Sequence, residues 1–151
     1  MPSDEQDICI EGEHSDQLRI RPLRRCYPNQ DDYWDGNWIE SEIQVQAGGF
    51  EGAYHANLRS DDFENLNREL TALSQTLSGR ATFSTMEEQL SFTMEGNGRG
   101  HIRISGQARD VVGTGNRLEF SLEMDQTYLP PILRALAAVL KKFPVRGSPD
   151  P

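Results

Sequence analysis

The sequence predicts an α+β domain: a mostly antiparallel β-sheet of about eight strands with two amphipathic helices, in the order ββββα-ββββα. Three observations predict it. Apolar and polar residues alternate over a series of short segments, the period of a strand with one buried and one wet face. Glycine-rich turns separate many of those segments. Two longer stretches then change to the i, i+3, i+4 spacing of a helix.

Ile8 and Ile10 mark a short first strand, and Leu18 and Ile20 a second. From Asn37 to Ala47 the alternation is strict, with Ile39, Ile43, Val45 and Ala47 on one face and Glu40, Glu42, Gln44 and Gln46 on the other. Gly48-Gly49 supplies the turn, and Phe50, Tyr54, Ala56 and Leu58 continue the apolar phase. Phe63, Leu66, Leu70, Leu73 and Leu77 then fall on one stripe of a helix expected over 61–78. Ser60 or Asp61 suits its cap, Asp62 and Glu64 its positive end, and Gly79 its stop. The second half repeats the plan. Strands are expected at Ala81–Thr85, around Leu90, Phe92 and Met94, around Ile102 and Ile104, and from Leu118 to Met124. Gly96-Asn97-Gly98 and Gly113-Thr114-Gly115-Asn116 link them with residues that accept positive φ. Leu129, Ile132, Leu133, Leu136, Leu140 and Phe143 form the closing helix, over 127–142. Pro130 and Pro131 belong in its first turn and Lys141 and Lys142 in its last. One domain is expected over 1–144, with a flexible tail over 145–151.

The 151 residues are 36% hydrophobic and 26% charged, enough apolar material for a core and too much for wholesale disorder. Twenty-four acidic against 15 basic residues give a formal charge of −9. That disfavours nucleic acid and anionic membranes as partners and suits a basic protein. No apolar run is long enough to span a membrane. The start Met1-Pro2-Ser3-Asp4-Glu5 is acidic and polar, unlike a secretory signal, so the protein is expected in the cytoplasm. Cys9 and Cys26 lack zinc or redox spacing; whether they pair is open.

Chemistry concentrates in one segment. Asp31-Asp32-Tyr33-Trp34-Asp35-Gly36-Asn37-Trp38 gathers three carboxylates and both tryptophans of the chain within eight residues. Two readings compete. The rings can form a recognition hot spot for a protein or a sugar, or they can fold under the loop while Asp35 and Asn37 bond the local backbone. The burial habit of large aromatics favours the second for Trp34 and Trp38. Catalysis has weaker support. Asp31, Asp32 or Asp35 with His55 composes a hydrolase only on paper, since His55 and His101 fall on the wet phase of their strands. No nucleophile elbow, phosphate loop or His-Glu-x-x-His string is present. No metal ligand set or cofactor is predicted.

The string Tyr33-Trp34-Asp35-Gly36-Asn37-Trp38 resembles the signature of the WapI-type immunity protein family of bacteria. Ala47-Gly48-Gly49-Phe50 and Asp125-Gln126-Thr127-Tyr128-Leu129 resemble that family in the same order along the chain. The resemblance implies a small cytoplasmic protein, not an enzyme, that binds and neutralises a toxin domain delivered between bacteria. An acidic surface of Asp31, Asp32, Tyr33, Trp34, Asp35, Trp38, Glu40 and Glu42 would meet a basic toxin. The alternatives are a small-ligand or carbohydrate-binding domain, with Trp34 or Trp38 stacked on a sugar, and the hydrolase above.

Overall fold

Residues 7–150 are described by a computed structural model; the acidic stretch 1–5 lies outside them. Four antiparallel strands form a first sheet in sequential order: β1 (Ile8–Glu11), β2 (Gln17–Arg25), β3 (Trp38–Ala47) and β4 (Phe50–Arg59). A helix follows, and then a second sequential sheet of β5 (Ser78–Phe83), β6 (Leu90–Asn97), β7 (His101–Arg109) and β8 (Arg117–Asp125). The strands thus divide into two sheets of four, joined by helices α2 (Ser60–Thr76) and α3 (Leu129–Lys142) in the expected order ββββα-ββββα. A one-turn helix, α1 (Tyr33–Gly36), interrupts the β2–β3 connection.

Alternation fixes which face each sheet turns inward. Ile39, Ile43 and Val45 are buried in β3 while Gln44 and Gln46 stay exposed, and Ile102 and Ile104 do the same in β7. The apolar stripe of α2, Phe63, Leu66, Leu70 and Leu73, lies along β5, and α3 packs on α2 and β1. Both sheets and both long helices feed one buried cluster. Phe63 of α2 meets Phe83 of β5 at 5.4 Å between ring centroids, and Phe83 stacks on Phe92 of β6. Tyr54, Leu118, Leu133 and Leu140 pack against this cluster while keeping partial exposure.

Several local expectations change. Phe50 holds the apolar phase of β4 but is 68% exposed, because it sits at the hairpin end where the core no longer reaches. The start of α2 is capped by neither Ser60 nor Asp61. Arg59, in extended conformation, is the N-cap residue, and its side chain makes no capping hydrogen bond. The helix ends on Leu77, left-handed at φ 60°, before Gly79 is reached; Leu77 donates its N–H to the Leu73 carbonyl. Gly98 donates its N–H to Leu77 O, so the next hairpin helps hold the strained residue. Pro22 lies in β2 beyond the last residue paired with β1, at a bulge in the β2–β3 register, where its missing N–H is tolerated. The thiols of Cys9 and Cys26 are free, and Arg19, not Cys26, stands opposite Cys9.

Phe63 fills the contact between α2 and the second sheet and is fully buried. Phe63→Ala is expected to cost about 3–5 kcal/mol, read from urea unfolding, since the facing rings of a close-packed core cannot collapse into the space. A loss below about 1 kcal/mol would mean that this contact is not close-packed.

Candidate functional site

The wet phase of β4 reaches its last residue with an arginine in the interior. Arg59 belongs to the outer face of the first sheet, opposite Trp38 of β3, yet it is only 1% exposed. The β2–β3 connection folds over it. Its guanidinium donates to the backbone carbonyls of Tyr33 and Trp34, both at 2.7 Å, and its Nε donates to Asp61 Oδ1 at 3.0 Å. The rings of Tyr33, Trp34 and Trp38 surround the same cation, with centroids 5.1, 5.6 and 5.0 Å from its central carbon. Tyr33 meets Trp34 edge to face at 5.0 Å and donates its hydroxyl to the other oxygen of Asp61. Burial and that hydrogen bond push the Tyr33 phenol up from its ordinary value.

Two more arginines hold the connection from the other side. Arg25 donates to the carbonyls of Gly36 and Pro144. Arg146 donates to those of Pro28 and Gln30. Asn37, fully buried, donates its amide to Tyr33 O and Arg146 O and accepts the Arg146 N–H. Pro144, the last residue of the expected domain, and Arg146, within the expected tail 145–151, are therefore bonded to the loop. Gly36 is required sterically, because a Cβ there would stand 2.6 Å from Gln30 O. Asp32 accepts the Asp35 N–H and caps the single turn of α1.

This geometry sorts the eight expected partner-binding residues. Tyr33, Trp34 and Trp38 converge on Arg59. Trp34 keeps 53% of its surface exposed, while Tyr33 and Trp38 are half-buried. Asp31, Asp32 and Asp35 are exposed around them, with the Asp31 side chain at 95%. Glu40 and Glu42 continue along the same outer face of β3, but each stands opposite an arginine of β2. Glu40 is ion-paired to Arg24, and Glu42 lies 3.8 Å from Arg21. Arg21 also binds Asp7 through two nitrogens. Asp31 in turn lies 3.9 Å from Arg146, so among the described residues the negative charge without an ion pair in the loop is that of Asp32 and Asp35. His55 stands opposite Glu42, four residues before Arg59 and so about 13 Å along the strand; its ring forms no hydrogen bond or ion pair with a loop carboxylate among the described residues. No cluster of three or more metal-ligating side chains occurs among the described residues.

Sequence reasoning passed over Arg59, Asp61, Arg25 and Arg146. One signal was available for Arg59. It is the single basic residue among nine carboxylates between Asp31 and Glu64, and a lone cation beside aromatics and acids marks a buried ion pair.

The site is thus an exposed indole on a pinned loop, fringed by acids and mounted on a two-sheet α+β frame. The particular family follows from comparison with known proteins: the Immunity protein WapI-like family matches residues 9–144, and the chain belongs to it. No curated protein matches the chain. Among solved structures, a chain of the CdiA-CT/CdiI toxin and immunity complex from Enterobacter cloacae aligns at 8% identity with a TM-score of 0.43, covering 79% of this chain and 97% of that one. No helix among the described residues is long and apolar enough to cross a membrane.

Two outcomes are expected at this site. Arg59→Ala leaves two carbonyls and Asp61 without their buried partner, and should cost about 3–5 kcal/mol in urea unfolding with a red shift of tryptophan emission. Arg59→Lys should recover only part of that loss, because an ammonium lacks the flat fork that reaches both carbonyls. The second outcome concerns Asp62. Burial first, and then the neighbouring Asp61 carboxylate, raise its pKa from 3.8 to about 7, and its Oδ2 is buried without a hydrogen-bond partner. The folded protein therefore holds a proton in this window that the unfolded chain has released. Folding takes up that proton, so stability falls as pH rises from about 4 to about 7. Asp62→Asn should flatten that slope and melt higher than the wild type above pH 7. An unchanged slope would show that another group carries it.

Proposed function

We propose that this protein is an immunity protein that neutralises a bacterial toxin domain by binding it, without chemistry of its own, in the cytoplasm of the cell it protects. Family membership supports the toxin as partner, and the observation that carries the docking surface is the pinned loop. Trp34 is a large apolar side chain left half in water, on a backbone that Arg59, Arg25, Asn37 and Arg146 hold from four directions. A rigid aromatic knob pays little ordering entropy when it is buried by a partner. Asp31, Asp32 and Asp35 around it give the field that would draw in a basic toxin. Tyr33 and Trp38 serve the surface from beneath, as its support. Glu40 and Glu42 lie on the same side but contribute less attraction, since Arg24 and Arg21 offset them. A sugar site and a hydrolase site receive no comparable support: among the described residues five of the best-formed grooves are lined by side chains other than Asp31, Asp32 and Asp35, and His55 is remote from the loop.

The test uses a catalytically inactivated toxin domain encoded beside this gene, with stopped-flow association at several salt concentrations. Replacing Asp31, Asp32 and Asp35 by Asn is expected to slow association about three- to tenfold at low salt, with the gap closing as salt screens the field. Replacing Glu40 and Glu42 by Gln should change the rate less. Trp34→Ala should melt within a few degrees of the wild type yet dissociate about tenfold faster or more. Wild-type association and dissociation in all three variants would remove the loop as the docking surface.

A further inference from the structure

An open sheet presents two edge strands, whose unpaired backbone groups must be covered or guarded. The two sheets here have four edges: β1, β4, β5 and β8. Three of them meet a packed element. β1 lies against α3. β5 runs beside α2, and Glu69 of that helix accepts the backbone N–H of Thr82. β8 meets the Gly12 turn, where a Cβ on Gly12 would come within 3.2 Å of Glu123 O and Leu122 Cβ. The fourth edge is closed only over its second half. There Gln89, itself buried, accepts the Tyr54 hydroxyl on its carbonyl and donates its side chain to His55 O.

The first half of β4 has no such cover among the described residues. Phe50, Glu51, Gly52 and Ala53 are all exposed, and a Cβ on Gly52 would meet nothing within 4 Å. Of the usual guards only one charged side chain, Glu51, is present. These four residues include no Lys and no Pro, and the β3–β4 register runs without a bulge from Trp38↔Arg59 to Ala47↔Phe50. Beside this edge the two sheets part to leave an open groove of about 220 Å³. Val45, Phe50 and Tyr54 of the first sheet and Ala108 and Leu118 of the second give it an apolar lining. Glu51 and Asp110 stand at its rim, with Arg117 as the one base. It lies at the far end of β3 from Trp34, about 30 Å away along the strand.

We propose that the Phe50–Ala53 edge is a strand-addition site that takes an extended segment of another protein, apolar at alternate positions and basic between them. The bare backbone edge dictates an extended occupant, because its unpaired groups bond a neighbouring strand and no other shape. Strand geometry then sends every second side chain of that occupant into the groove and the others to the Glu51 side. The charge of −9 selects a basic segment and works against a second copy of this chain, which would bring the same excess of acid to the contact.

The site goes beyond the toxin-loop reading and is tested without a toxin. Isotope-labelled protein is titrated with a short synthetic peptide of alternating Val and Lys, followed by amide shifts in NMR. Shifts are expected at Phe50–Ala53, Val45 and Leu118, with Trp34 unmoved. The same peptide methylated on alternate amide nitrogens should bind about tenfold more weakly or worse, since it keeps its side chains but loses the pairing edge. Gly52→Lys, which has room for its side chain, should melt like the wild type and lose the peptide. Equal binding of the methylated peptide, shifts centred on Trp34, or no shifts at all would overturn the proposal. Sedimentation of the unliganded protein as a dimer with protected Phe50–Ala53 amides would also overturn it, by making a second copy the occupant. Loss of toxin binding in Trp34→Ala leaves these outcomes untouched, so the two readings fail separately.

Discussion

A guanidinium taken out of water must be given back its hydrogen bonds, or the fold pays several kcal/mol for the omission. Arg59 meets that demand with material from three parts of the chain. The β2–β3 connection gives two carbonyls and two rings, β3 gives the Trp38 ring, and the first turn of α2 gives Asp61. None of these pieces is adjacent in sequence to all the others. The end of β4, the start of α2 and the loop are thereby set at once, and none can shift without leaving a buried charge short of a partner. The same arginine is the N-cap residue of α2.

That constraint explains why a connection of twelve residues, Cys26 to Asn37, can hold a single shape. A loop this long would ordinarily cost a substantial closure and ordering entropy. Here its carbonyls at Pro28, Gln30, Tyr33, Trp34 and Gly36 are each taken by an arginine. Charged donors to neutral carbonyls are stronger than amide donors, so a few of them replace the ladder that a strand would have used. Arg also suits the task better than Lys, since one planar fork reaches two carbonyls at fixed spacing. The preference for Arg over Lys along this chain gains a structural use at these three positions.

Strand and helix positions were legible in the sequence because burial on one face writes a period into the residues. Ile39, Ile43 and Val45 needed only alternation, and Phe63 to Leu73 only helical spacing. Alternation gives a residue's side of the sheet, however, and not what lies over that side. Arg59 is on the wet phase and fully enclosed, whereas Phe50 is on the dry phase and exposed. Both departures occur at strand ends, where a loop can cover the outer face or the core can run out. The candidate loop was visible from composition alone; its anchors were not. Arg25 and Arg146 act over more than a hundred residues of sequence separation, and their partners are backbone carbonyls, which carry no residue identity to read. The cap of α2 was hidden for a similar reason. Ser60 invites the role, but its hydroxyl is buried without a partner and the backbone of Arg59 takes the position.

The two ends of the first sheet differ in the physics they make available. At the loop end, backbone groups are satisfied and side chains are left over: an indole and three carboxylates in water, offering contact area and a field. At the hairpin end the side chains are small or apolar apart from Glu51, and the outward edge of β4 over Phe50–Ala53 remains without a neighbouring strand. A field acts over a Debye length of about 8 Å and is indifferent to shape, so it serves encounter and loses strength with salt. Backbone pairing acts only at contact and demands one geometry, so it serves register and is little affected by salt. A partner that uses both would be oriented first by charge at the loop and then fixed by hydrogen bonds at the edge, with the rigid β3–β4 hairpin holding the two points a constant distance apart. Salt should then separate the steps: association would carry the salt dependence of the loop, and dissociation would carry the geometry of the edge.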